Sequence, residues 1–142
     1  MGGLNSCFTI HYAGKMSFEE AEILKERAQA FLRNAKRLFE EGEYDLSIFC
    51  LEQYCQLILK YKLLVKTGTY PRVHSLTRLL SLLSKVTDGR LASLMKKYLL
   101  HITKLEDAYI VSRYLPRRYS REEVEEILRF VEEVFKPVVE GV

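Results

Sequence analysis

Residues 44–67 read YDLSIFCLEQYCQLILKYKLLVKT, and this stretch decides the fold. Its spacing predicts one long helix that ends at Gly68, with Pro71 following soon after. Apolar residues line one face and also much of the opposite face: Leu46, Phe49, Cys50, Leu57, Tyr61 and Leu64 on the first, and Ile48, Leu51, Cys55, Ile58 and Leu59 on the second. A helix that is apolar nearly all round must be buried on two sides. A further helix or another subunit can cover the second side, and we predict a homodimer through this helix.

The chain on both sides of this stretch also has helical periodicity. Two of the flanking helices begin with a Ser-x-x-Glu capping box, at Ser17 and at Ser120, which satisfies free backbone amides. The predicted flanking helices cover residues 17–41, 75–86, 90–114 and 120 onward. We expect an all-α fold, an up-and-down antiparallel four-helix bundle with an additional short or C-terminal helix.

Residues 1–16 show no helical period and few charges. We expect them to form a loosely attached, disordered extension in front of a single helical domain over residues 17–142.

Composition narrows the class of protein. The chain has 142 residues, 48% of them hydrophobic and 29% charged, as in ordinary globular domains. A net charge of +3 does not by itself favour nucleic acid. The three cysteines, Cys7, Cys50 and Cys55, lack metal-ligand spacing, and the last two lie in an apolar run as buried thiols would. No segment has the length of a membrane span or the form of a signal peptide, so we expect a soluble, cytoplasmic protein.

Two polar residues interrupt the apolar stripe of the central helix. Gln53 and Lys60 are two turns apart on the face of Leu57. Polar groups on such a face need partners. They could form a polar site inside the bundle or at its interface, or Lys60 could extend its ammonium to the edge of the bundle.

The end of the 90–114 helix carries Tyr109, Ser112, Arg113 and Tyr114. Tyr109 and Arg113 share a face because they are one turn apart. They could bind a ligand, although a cation at a helix C-terminus is also favourable without any function.

A run of arginines leads into the last helix, and its members are Arg113, Arg117, Arg118 and Arg121. Guanidinium groups beside a helix N-terminus suit a phosphate or another anion. The competing interpretation is a solvated basic turn that pairs with Glu122, Glu123 or other nearby carboxylates.

The histidines offer less. His74 precedes the third helix and His101 lies within the fourth, and no pair has the spacing of a metal site. We therefore predict neither a metal nor a cofactor.

Several motifs resemble the HEPN domain family. The stretch Gly42-Glu43-Tyr44-Asp45, followed by Phe49, Gln53 and Lys60, resembles the second helix of these domains, and His74-Ser75-Leu76 resembles the opening of their third. Tyr109-Ile110-Val111-Ser112-Arg113-Tyr114, followed by Pro116, is similar to their YI-x-[ST]-RYP signature. The resemblance covers residues 17–139, and its most specific part is this last motif.

This resemblance implies a dimerising helical bundle that pairs with a minimal nucleotidyltransferase in a toxin–antitoxin-like system. It also implies nucleotide or RNA binding, with candidate residues Gln53, Lys60, His74, Tyr109, Arg113 and Tyr114. Many members are metal-independent ribonucleases, whose motif is an arginine followed after four to six residues by a histidine. That motif is absent here, where Lys96 before His101 is the nearest match, so we lean against an enzyme.

Two further departures from the family pattern matter. Glutamate is common in the family where Gln56 stands, and Pro116 comes one residue late. The alternatives to a nucleotide-binding partner protein are a ribonuclease toxin that uses His74 or His101, and a helical adaptor without a ligand.

Overall fold

The structure is a computed structural model that describes the backbone of residues 2–142 and the side chains of residues 18–142. Its helices are α1 (Gly2–Glu40), α2 (Tyr44–Thr67), α3 (Leu76–Lys85), α4 (Arg90–Lys97), α5 (Leu99–Tyr114), α6 (Arg121–Phe130) and α7 (Lys136–Gly141), with one π-helical turn (Val131–Phe135) between α6 and α7. Residues 2–142 contain no strand, and the predicted all-helical class is confirmed. In this part of the chain, no helix combines the length and the apolar character needed to cross a bilayer.

α1 and α2 form a tightly packed helical hairpin. In the short connection between them, Gly42 has a φ of 80°, a left-handed conformation that glycine adopts without strain. Ala28 and Ala35 of α1 are completely buried, and their small side chains allow the two helices to approach closely. At the contact, the buried hydroxyl of Ser47 donates to the carbonyl oxygen of Ala35 at 2.7 Å.

α2 lies at the centre of the fold. Ile48, Leu51 and Leu59 are fully buried, and α1, α3, α5 and α6 all pack against this helix. Of the two covers that the sequence allowed for the second apolar side, the structure shows the first, because Ile48, Leu51, Cys55, Ile58 and Leu59 are all buried by other helices of the same chain. The homodimer through α2 stays a prediction, and the exposed apolar residue of this helix is Leu46 on the first face, which is 52% exposed. Cys50 and Cys55 are free, buried thiols.

The amino-terminal boundary of α1 differs from the prediction. The helix begins at Gly2 rather than at Ser17, whose predicted capping box lies outside the described side chains. Apolar periodicity reports which face of a helix is buried, so its absence in residues 2–16 does not exclude helical backbone. The division into an extension and a domain from residue 17 stays a prediction.

The predicted helix over residues 90–114 is divided at Tyr98, which has a φ of −118° and a ψ of 32°. Backbone hydrogen bonds continue on both sides, from Tyr98 to Leu94 and from Ile102 to Tyr98. At the break the Tyr98 ring packs against Phe130 of α6, with ring centroids 5.1 Å apart. The helix is thus divided where a partly buried aromatic side chain packs against the core.

The two later helix starts agree with the sequence. Ser75 caps α3 by accepting from the amide of Arg78, and Ser120 and Glu123 form the complete capping box of α6. The predicted last helix is interrupted by the π-helical turn, which places Phe135 in the core. The rings of Phe135 and Tyr54 are in an edge-to-face arrangement, with their centroids 6.2 Å apart.

Candidate functional site

A buried carboxylate lies in the middle of α2. Glu52 and Gln56 are one turn apart, with exposed fractions of 0% and 3%. The side-chain amides of Gln53, at 2.8 Å, and Gln56 both donate to the Glu52 carboxylate. Burial raises the pKa of Glu52 to about 7, against the opposing effect of these two amides and of the Lys60 charge.

Lys60 lies on the same side of α2 as Glu52 and is half-buried. Its ammonium lies over the ring of Tyr70, 5.9 Å from the centroid. Burial lowers the pKa of Lys60, the negative charge of Glu52 raises it, and the positive charge of Arg72 lowers it further. Lys60 and Glu52 are thus electrically coupled.

His74, in the loop before α3, connects α2 to α5. Its Nδ1 is 3.3 Å from Gln56 Oε1, and its Nε2 is 3.3 Å from the hydroxyl oxygen of Tyr109. The His74 and Tyr109 rings are stacked, with centroids 4.5 Å apart and planes 20° from parallel. The imidazole itself is exposed.

Arg113 is one turn beyond Tyr109 on α5. Its Nη1 donates to the Tyr109 hydroxyl oxygen at 2.9 Å. The guanidinium lies 5.2 Å from the centroid of the Tyr109 ring and 5.6 Å from that of Tyr114, which is 65% exposed. Among residues 18–142, no carboxylate lies within 4.0 Å of Arg113. The group therefore keeps N–H donors and a positive charge for an anion.

Glu106 of α5 fixes the position of the loop that carries His74. Its carboxylate accepts from Ser75 Oγ at 2.7 Å and, at 2.8 and 2.5 Å, from the amide and hydroxyl of Thr77. Burial alone would raise the pKa of Glu106, but these hydrogen bonds outweigh it and lower the pKa. The N-terminus of α3 is thus tied to α5, beside Tyr109.

Most of the residues singled out from the sequence meet here. His74, Tyr109, Arg113 and Tyr114 are in direct contact, and Gln53 and Lys60 join them through Glu52. We call the linked residues Glu52, Gln56, His74, Tyr109 and Arg113 the polar site. Sequence reasoning missed the roles of Glu52, Gln56 and Glu106. The signal for the first two was a pair of polar residues one turn apart within an apolar run.

The arginines beyond α5 lie apart from the polar site and are largely paired. Arg117 Nη2 is 2.9 Å from Glu123 Oε2, and Arg121 Nη2 is 3.8 Å from Glu125 Oε2. Glu123 also accepts from the Ser120 amide, and this bond, with Lys104 and Arg117, lowers the pKa of Glu123 to about 2.

The N-terminus of α6 is therefore occupied by the protein's own carboxylate, as the competing interpretation for Arg117 and Arg121 requires. Arg118 is exposed and lines a cavity of about 310 Å³ with Asp45 and Ser112.

Other parts of the surface offer less chemistry. His101 packs against Tyr98 and Phe130, with ring centroids 5.6 and 5.1 Å away. An open cavity of about 680 Å³ near α4 contains Asp88 and Arg90, which pair with each other at 2.9 Å. The described side chains contain no cluster of three or more potential metal ligands among His, Cys, Asp and Glu.

The fold and the site define a helical domain with one cationic, aromatic-lined site joined to a buried carboxylate. The model of the HEPN domain matches residues 21–142, and the chain belongs to this family. Among solved structures it is similar to TT1696 from Thermus thermophilus, with 26% identity, a TM-score of 0.67, and coverage of 86% of this chain and 98% of that one. No curated protein matches the chain.

Proposed function

We propose that this HEPN-domain chain binds a nucleotide through Arg113 and is the partner of a minimal nucleotidyltransferase in a toxin–antitoxin-like pair. The state of Arg113 is the observation that best supports a nucleotide site. Its guanidinium is exposed, lies against two tyrosine rings and has no carboxylate within 4.0 Å among residues 18–142. The paired Arg117 is the contrasting case.

The surroundings of Arg113 suit the two parts of a nucleotide. A guanidinium forms two parallel hydrogen bonds with a phosphate. Tyr114, which is 65% exposed, offers a ring face on which a base can stack. His74 and Tyr109 add polar atoms between these groups, and Lys60 adds positive charge on the α2 side.

Calorimetric titration with AMP, ATP and GTP tests the nucleotide site. We expect Arg113→Gln to weaken binding about tenfold or more, because a hydrogen bond to a charged group contributes about 1.5–3 kcal/mol. Arg33→Gln is the matched control, since it removes an exposed arginine of α1 with the same change of charge. Absence of binding at millimolar nucleotide would contradict the proposal and favour the adaptor without a ligand.

The proposed partner is supported by the similarity of residues 109–116 to the family's RYP-type signature. Co-expression with the product of an adjacent nucleotidyltransferase gene should give one complex on size exclusion. Two separate peaks would contradict the partnership without affecting the nucleotide site.

A homodimer through α2 remains part of this proposal. Its support is the partly exposed apolar surface of that helix, where Leu46 is 52% exposed and Leu57 is half-buried. Leu46→Glu should convert a dimer into a monomer in light scattering. Leu100→Glu, which changes an 82% exposed leucine of α5, is the control. If only the control Leu100→Glu dissociates the dimer, the interface lies at α5 and not at α2.

The specific observation in favour of a metal-independent ribonuclease is the position of His74. Both His74 Nε2 and Arg113 Nη1 are within 3.3 Å of the Tyr109 hydroxyl oxygen, so a proton acceptor lies beside a phosphate-binding cation. His101 lies in a separate aromatic cluster. Purified protein should then degrade RNA in EDTA, His74→Ala should abolish the activity, and His101→Ala should retain it. Equal activity in all three proteins would exclude this mechanism.

A further inference from the structure

We propose that Glu52 and Gln56 are positioning residues that hold His74 with its proton on Nδ1, so that Nε2 accepts a hydrogen bond from a ribose hydroxyl of the bound nucleotide. This inference rests on the nucleotide site proposed at Arg113. The expected ligand is a phosphorylated ribose that carries a free ring hydroxyl.

The buried carboxylate sets the direction of the Gln56 amide. Above its raised pKa of about 7 the Glu52 carboxyl is ionised and can only accept hydrogen bonds, so Gln56 then turns its NH₂ group toward Glu52. The amide oxygen then points the other way, and His74 Nδ1 lies 3.3 Å from it. Since Gln56 is only 3% exposed, water does not compete freely for either end of its amide.

The orientation of Gln56 decides which nitrogen of His74 carries the proton. An amide oxygen cannot donate, so Nδ1 must be protonated to make this hydrogen bond. In a neutral imidazole, Nε2 is then an acceptor with its lone pair in the plane of the ring. A carboxylate that acts on a histidine through one amide reproduces the orienting role of the acid in a catalytic triad.

The lone pair of Nε2 is available to a ligand. The Tyr109 oxygen is 3.3 Å from Nε2, but the two rings are stacked within 20° of parallel. That oxygen therefore lies above the imidazole rather than in its plane, and the in-plane direction from Nε2 points away from it. His74 is exposed, so this direction is open to a bound molecule.

The two groups require complementary features of one ligand. Arg113 can only donate, and it binds an anion; Nε2 of the held tautomer can only accept, and it binds a hydroxyl. Both are close to the same Tyr109 oxygen. A phosphate and a hydroxyl on one ribose satisfy both groups together.

The first experiment measures the proton position directly. Nitrogen-15 NMR of the histidine side chains, at about pH 8.5 where an imidazole is neutral, distinguishes a protonated from an unprotonated ring nitrogen. We expect His74 to carry its proton on Nδ1. Gln56→Leu should shift the population toward the Nε2-protonated form, and Gln56→Glu should restore Nδ1, because a carboxylate at that position again accepts from it. His101 is the internal reference in all three proteins.

The second experiment measures the ribose preference. Wild-type protein should bind AMP about threefold to tenfold more tightly than 2′,3′-dideoxy-AMP, the range expected for one hydrogen bond. Gln56→Leu should reduce this ratio toward one. Gln29→Leu, at an exposed position of α1, is the control. Circular dichroism establishes that each variant is folded.

The outcomes separate this inference from the proposed function. Equal affinity of wild-type protein for AMP and dideoxy-AMP would overturn the role of Nε2 and leave the nucleotide site at Arg113 intact. If no nucleotide binds, the proposed function fails, and the NMR measurement still tests the positioning by Glu52 and Gln56. An Nε2-protonated His74 in the wild type would overturn the inference under either condition.

Discussion

Replacement of the buried Glu52 by glutamine should change how the stability of this protein depends on pH. Burial raises the pKa of Glu52 from 4.5 to about 7 in the folded chain. Below pH 4.5 the group is protonated in both states and contributes no pH dependence. Between pH 4.5 and 7 the unfolded chain loses this proton first, so stability falls as pH rises. Since one pKa unit corresponds to about 1.4 kcal/mol, the loss above pH 7 is about 3 kcal/mol.

Urea denaturation of the wild type and of Glu52→Gln at a series of pH values from 4.5 to 8 measures this effect. The variant should lack the fall, because its amide has no proton to lose. The difference in unfolding free energy between the two proteins should therefore change by about 3 kcal/mol across the range. Groups that titrate in both proteins and do not interact with Glu52 contribute equally and cancel in the difference. Parallel curves for the two proteins would refute the argument that Glu52 is desolvated.

Four other substitutions test contacts in the structure. Ser120→Ala should lower the free energy of unfolding by about 1 kcal/mol, measured by thermal unfolding, because the amide of Glu123 loses its acceptor in the α6 capping box. Because the pKa of Glu123 is lowered, the wild type has stability above pH 4.5 that it loses as pH falls toward 2, and Glu123→Gln should remove this stability. Glu106→Ala should cost about 1–3 kcal/mol and speed hydrogen exchange at Thr77, whose amide loses its acceptor; unchanged exchange there would contradict the role of Glu106 as the tie between α3 and α5. Tyr54→Phe should cost about 1 kcal/mol in urea, because it removes the 2.9 Å hydrogen bond to Glu140, and no change would show that water replaces this bond.

The sequence predicted best those features that are encoded locally. The Ser120 capping box depends on residues within one helical turn, and it is present. The break at Tyr98 and the π-helical turn before Phe135 were not predicted, because each serves packing between helices that are distant along the chain. The sequence also left open whether a further helix or another subunit covers the second side of α2, since helical periodicity shows that a face is buried but not what buries it.

The residues of the candidate site also fall into those that the local sequence indicates and those that only tertiary packing brings together. Tyr109, Arg113 and Tyr114 were found because their motif is contiguous and their spacing puts them on one turn. The partner of His74 was missed because a carboxylate was sought at position 56, where this chain has glutamine. A carboxylate is present one turn earlier, at Glu52, and Gln56 contacts both this carboxylate and His74. Only the packing of the His74 loop against α2 makes that relation visible.

Competition for the arginines favours the end of α5 over the start of α6 as the candidate anion site. By sequence alone, the N-terminus of α6 was also a candidate anion site, since it combines free amides with three arginines. Glu123 takes the place of the anion, accepting from the Ser120 amide and pairing with Arg117 and Lys104. An incoming phosphate would have to displace a carboxylate whose pKa is already lowered to about 2. Arg113 has no carboxylate within 4.0 Å among residues 18–142, so a ligand can reach its cation without first breaking an ion pair.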